Sequence, residues 1–147
     1  MRIRSEGSLL VHVSRLAAVL ACLLSFIAAS RAESADETIT RWYTLLVAAN
    51  EEGLAKLLSD DVRIKLVGVD VTRSKPQFLG TLSEWRIAIA GGGIRHKLEK
   101  TEGDVTTVRA CYDFAENDIL MRETFRIADG LIVENSQAEI AGDCDAY

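Results

Sequence analysis

The sequence is poor in the residue types that announce a chemistry by themselves. Its 147 residues hold two histidines, three cysteines and one proline, and aromatic residues make up 6%. Only His96 lies beyond the first 32 residues, so no histidine pair is present to build a zinc site, and no metal is expected. There is no run of Lys and Arg, which removes the usual electrostatic footprint of a nucleic-acid binder. No apolar run reaches the roughly twenty residues that a membrane-spanning helix needs. Serine, histidine and aspartate do not occur in the order of a hydrolytic triad, and no nucleotide fingerprint is present. Gly91-Gly92-Gly93 follows a helical stretch instead of opening one, so it reads as a helix stop and not as a phosphate cradle. No cofactor is expected, and internal repeats and low-complexity tracts are absent.

What is there begins with an export signal. Arg2, Arg4 and Arg15 precede the apolar run Leu16 to Ala29, which ends in Ser30-Arg31-Ala32, a small-x-small cleavage pattern. The expected division is therefore a signal peptide over 1–32 and one domain over 33–147, exported to a periplasm or the exterior and free of the membrane after cleavage. Val19-Leu20-Ala21-Cys22 weakly resembles a lipobox, but the apolar run continues past Cys22. Four Arg and Glu6 fall within 1–32, so the remaining domain sets 13 basic against 21 acidic residues, a net charge of −8. Nucleic acid is not an expected partner. In an oxidising compartment Cys111 and Cys144 read as a disulfide fastening the tail to a strand; two unpaired thiols are the alternative.

Along the domain, period decides the elements. Ser34-Ala35-Asp36-Glu37 matches a capping box, and Ile39, Trp42, Tyr43, Leu46 and Ala49 share one face of a helix running to about Ala49. Leu54, Leu57 and Leu58 mark a second, shorter helix, stopped by Asp60-Asp61. Val62, Ile64 and Leu66 then alternate with Arg63 and Lys65 as a strand. Gly68 to Gln77 has no clear period and carries the proline, so it reads as a loop that could cover a pocket mouth. Thr81-Leu82-Ser83-Glu84 is a second capping-box pattern, with Leu82, Trp85 and Ile89 on one face. Strands follow over Ile94–Lys100, Val105–Phe114, Ile119–Ile127 and Leu131–Ile140, with Asp129-Gly130 as a hairpin turn. The order predicts an α+β fold in which N-terminal helices pack on one face of a curved antiparallel sheet, leaving a cone-shaped cavity.

The residues also match a known family. Arg41-aromatic-x-x-x-Leu46, then Gly53-Leu54-x-x-Leu57-Leu58-x-Asp60-Asp61, Gly80-x-Leu82 with Trp85, and Glu123-x-Phe125-Arg126-Ile127-x-Asp129-Gly130-x-Ile132 together resemble the nuclear transport factor 2-like superfamily, in its SnoaL-like and ketosteroid isomerase-like branch. The resemblance implies a cystatin-like α+β barrel with an apolar pocket between the first helix and the sheet, often assembled as a homodimer through the outer sheet face. It also implies positions for a tyrosine oxyanion donor, an aspartate base and a protonated aspartate. Here these fall at Trp42, Leu66 and Glu123. With leucine at the base position, ketosteroid isomerase activity is not expected, because proton abstraction next to a carbonyl needs a positioned base.

Candidate site residues come with competing readings. Glu123, between Met121 and Phe125 on an apolar strand face, is either a pocket acid with a raised pKa or a paired structural carboxylate. An inverted strand register would put it in water. His96, between Ile94 and Leu98, is either a general base oriented by Glu123 or a hydrogen-bonded wall residue. Trp42 and Tyr43 on the helix side, with Leu66, Trp85, Tyr112, Met121 and Phe125, line the expected pocket or fill the core. On the last strand, hydropathy favours Ile132, Ala138 and Ile140 inward with Asn135, Gln137 and Glu139 in water; the family resemblance implies the reverse. The function expected is binding of a small, partly apolar molecule. A cofactor-independent isomerase, lyase or hydrolase using Glu123 and His96 is one alternative, and a non-catalytic dimeric interaction module is the other.

Overall fold

The computed structural model describes residues 34–145. The expected signal segment, its boundary after Ala32 and Cys22 lie outside the described residues.

Helix α1, Ala35–Val47, opens on the capping box: Ser34 N–H donates to Glu37 Oε2 at 2.8 Å, and Ser34 Oγ accepts from Glu37 N–H at 3.2 Å. Ile39, Trp42, Tyr43 and Leu46 form its buried face. Helix α2, Glu51–Leu57, is capped by Asn50, whose Oδ1 accepts from Gly53 N–H at 2.8 Å. The chain does not wait for Asp60-Asp61 to leave the helix. Leu58 is already extended and begins β1, Leu58–Leu66, while the two aspartates sit exposed where pairing with the neighbouring strand shifts between Leu58 and Arg63.

The segment expected as a loop, 68–77, is largely ordered. A 3-10 turn at Val67–Val69 leads into β2, Val71–Arg73, which pairs antiparallel with β1, and α3, Lys75–Leu79, follows. Pro76 sits in the first turn of α3, where a missing N–H removes no helical bond. Ser74 N–H is taken up by Gln77 Oε1 at 2.8 Å. Helix α4, Leu82–Ala88, comes next, but Thr81 makes no capping bond to it; its hydroxyl donates to Phe78 O at 2.7 Å, tying α4 to α3 instead.

Strands β3 (Gly93–Glu102), β4 (Val105–Asp113), β5 (Asp118–Ala128) and β6 (Leu131–Glu139) complete a curved, unclosed six-stranded sheet of order β2-β1-β6-β5-β4-β3. All neighbours are antiparallel except β1 and β6, which run parallel. Asp129 and Gly130, at φ 51° and 77°, make the tight β5–β6 turn in the left-handed backbone that Asp-Gly tolerates. Just beyond it, Ile132 pairs with Ile127 but Glu134 pairs with Arg126, so Val133 is an extra residue on β6. That bulge resets the alternation of the strand.

The inner face is an apolar core of α1 and α2 side chains against Ile64, Val108, Ala110, Phe125 and Ile132. The outer face is charged: Glu99 pairs with Arg109 at 2.5 Å and with Arg122 at 3.1 Å. At one end of that face the tail covers Cys111, Leu120 and Cys144, and Cys111 and Cys144 stand bonded with a Cα–Cα distance of 5.7 Å. Among the described residues no helix is long and apolar enough to cross a membrane.

Candidate ligand cavity

The sheet register aims Glu123 inward. It lies between Val108 on β4 and Gln137 on β5's other neighbour, β6, and it is completely buried, so the inverted-register reading does not hold. Three polar groups meet it there. The Tyr112 hydroxyl donates to Oε1 at 2.5 Å and the Asn135 amide to Oε2 at 3.2 Å. The nearby Tyr43 hydroxyl also favours the charged form. Burial dominates nevertheless, and pushes the Glu123 carboxyl up to about 7, against the three groups that favour its ionised form. The same burial, with the Glu123 charge beside it, raises the Tyr112 phenol well above its ordinary range, so it remains a donor.

Gln137 extends the chain of bonds, its Nε2 donating to Asn135 Oδ1 at 2.7 Å. Asn135 is fully buried and Gln137 half-buried, while Glu139 is exposed. This differs from the hydropathy reading of β6. The bulge at Val133 lets Ile132 and Asn135, three residues apart, face the same way, which strict alternation forbids.

Tyr112 and Gln137 form part of the wall of a cavity of about 190 Å³, closed on its other sides by Leu46, Phe78, Leu82 and Trp85 and reached by Thr81 and Arg73. Trp85 is held edge-on to Tyr112 at 5.9 Å, and its Nε1–H donates to Leu46 O at 2.6 Å, a carbonyl at the end of α1 that also accepts from Ala49 N–H at 3.0 Å. The polar handle of this indole is thus spent on positioning the ring. Glu123 does not itself line the cavity; it stands behind Tyr112 and Gln137.

The other expected residues separate into groups. Trp42 and Phe125 are fully buried and pack together at 6.1 Å, with Phe78 stacked on Trp42 at 5.3 Å, so they fill the core. Trp42 Nε1, at the position the resemblance assigns to an oxyanion donor, is buried with no hydrogen-bond partner among the described residues. Leu66 ends β1 half-buried, opposite Val71 and Gln137, and Met121 is half-buried opposite Ala110 and Glu139. His96 is half-buried on β3. Its ring stacks on Tyr43 at 4.5 Å, its Nε2 lies 3.4 Å from Thr40 Oγ1, and it edges a separate surface depression with Thr40, Thr44 and Val47. Burial lowers its pKa, partly opposed by the Asp36 carboxylate. His96 and Glu123 share no hydrogen bond; Tyr43 relates to both, its ring stacked on His96 and its hydroxyl favouring the ionised form of Glu123.

Arg73 escaped sequence reasoning because β2 lay inside the expected loop. Cys111, Asp113, Asp118 and Cys144 bring potential ligand atoms within 4.8 Å of one another. Both sulfurs are used in the disulfide, however, and Asp113 is gripped by the Arg95 guanidinium at 2.7 and 2.9 Å, so this donor set is committed.

The element order, the curved sheet under N-terminal helices and the cavity at their junction define the nuclear transport factor 2-like fold. No family model matches the chain, and no curated protein matches it in sequence. Solved structures do match its fold. IdmH from Streptomyces antibioticus, a proposed polyketide cyclase, aligns at 19% identity over 73% of this chain and 92% of its own, with a TM-score of 0.63. An NTF-2-like protein of unknown function from Burkholderia xenovorans aligns at 12% identity over 73% and 83%, with a TM-score of 0.61. A protein with a ketosteroid isomerase-like fold from Catenulispora acidiphila, solved with trimethylamine, aligns at 16% identity over 71% and 86%, with a TM-score of 0.57. These likenesses bear on fold.

Proposed function

We propose that the domain binds a small, partly apolar molecule in the cavity between α1, α3, α4 and the sheet. The observation that carries this reading is the wall itself: aromatic and aliphatic side chains on most sides, and two polar groups, Tyr112 and Gln137, that both connect to a buried acid. A few convergent polar groups in an apolar concavity are what a ligand site requires. The size sets a limit. A cavity of roughly 150 Å³ accommodates benzene, so about 190 Å³ suits one ring with a small substituent and not a fused polycycle. Native mass spectrometry of the protein purified from its own source tests the reading. A retained molecule of one-ring size is expected, and a protein that carries none and binds no single-ring compound refutes it.

Catalysis is a second reading, favoured by one feature: a buried carboxyl poised near 7 and bonded to a phenol that faces the cavity. The likeness to a proposed polyketide cyclase supports it at the level of fold alone. Turnover of the retained molecule, lost in Glu123→Gln, would establish it. Export belongs to the same proposal and is supported by the bonded Cys111–Cys144 pair. So does pairing of two copies through the outer sheet face. Because Arg109, Arg122 and Glu99 lie there, such a dimer would weaken with salt, which sedimentation at two ionic strengths would read out.

A further inference from the structure

The cavity has one charged side chain in its lining, and it is a cation. Arg73 ends β2 and pairs directly with Ile64 of β1. Residues directly opposite in an antiparallel pair point to the same face. Ile64 is 1% exposed on the inner face. The side chain is therefore delivered to the inside of the sheet, half-buried in the cavity lining, and not to the outer face where Arg95, Arg109 and Arg122 make ion pairs.

Arg73 makes no hydrogen bond or ion pair with any described residue. Asp60 pairs with Lys75 at 2.8 Å, Asp70 with Lys65 at 4.0 Å, and Glu123 bonds to Tyr112 and Asn135. No carboxylate lines the cavity. A guanidinium half-withdrawn from water beside an apolar wall is unfavourable alone, and its planar fork of donors fits a carboxylate in two parallel bonds.

We propose that the ligand of this cavity is a single-ring carboxylate, its ring among Trp85, Phe78 and Leu82 and its carboxylate on Arg73. The inference rests on the ligand-binding reading and adds the charge of the ligand. The domain's net charge of −8 opposes an anion at long range. That field is screened beyond about 8 Å at physiological salt, whereas the contact with Arg73 is not. At the site the local cation decides. Tyr112 and Gln137, on the sheet wall, remain available to a polar substituent of the ring.

Benzoate and benzamide separate the two claims, since they match in shape and differ in charge. Titration of the labelled protein by NMR, following the Trp85 Nε1–H and its neighbours, should give benzoate at least about tenfold tighter than benzamide, the scale of a charge-assisted bond in a partly buried site. Arg73→Gln should bring the two to within about twofold of each other, with the larger loss on benzoate. Equal binding of both by the unaltered protein overturns the anion inference and leaves the cavity reading standing. A benzoate preference that survives Arg73→Gln also overturns it. If neither compound moves these signals, the cavity reading itself falls. Arg73 supports no other side chain, so the variant is expected to fold, and the preference in the unaltered protein decides the matter independently of it.

Discussion

The contribution of Glu123 to stability should fall as pH rises from about 4.5 to 7. Its carboxyl has an ordinary value of 4.5 and is raised to about 7 in the folded chain. Between those values the folded protein holds a proton that the unfolded chain has released, so stability is full below 4.5 and is lost as pH climbs through 7. At about 1.4 kcal/mol per pH unit, the loss is about 3 kcal/mol. For a domain of this size that corresponds to roughly 10 °C in the melting temperature. Other groups run the opposite way. His96, with its pKa lowered by burial, and the paired Glu99 and Asp113 contribute more as pH rises. The measurement is therefore a difference: urea unfolding followed by circular dichroism at pH 4.5, 6, 7 and 8, for the unaltered protein and Glu123→Gln. The gap between the two should change by about 3 kcal/mol across the range, in favour of the variant at high pH. Parallel curves would show that Glu123 is not the buried acid described here.

Three further outcomes are expected. Tyr112→Phe removes a hydrogen bond that favours the charged carboxylate, so the midpoint of that pH dependence should move above 7; a midpoint that moves down refutes the bonding scheme. Cys111→Ser with Cys144→Ser opens a loop closed across 33 residues and should cost about 3–4 kcal/mol in denaturant unfolding, a loss that reductant reproduces in the unaltered protein but not in the variant. Phe125→Ala deletes a ring packed between Trp42 and Tyr43 and should cost about 3–5 kcal/mol in the same assay, while a cost under 1 kcal/mol would mean the inner core is not packed as described.

The amino-acid order by itself settled the elements whose period is strong. The first helix, its capping box and the four long strands follow from side-chain spacing, because a buried face repeats at 3.6 or 2 residues wherever one element meets one core. The same alternation allowed Glu123 to aim inward or, in an inverted register, into water, and its complete burial decides for the first. Only the tertiary structure decided three things. Segment 68–77 acquired β2 and the start of α3 because β1 offered an edge to pair with, which no local pattern records. Asn135 and Gln137 turned inward because one extra residue, Val133, shifts the phase of β6 against β5, and a bulge has no hydropathy signature. His96 and Glu123, each readable as a site residue alone, ended on either side of Tyr43, because their distance depends on strand order and helix packing and not on spacing along the chain. The cavity belongs to this second kind: its lining comes from α1, β2, α3, α4, β4 and β6, and only their packing brings Arg73 to face Trp85 and Tyr112 across one hollow.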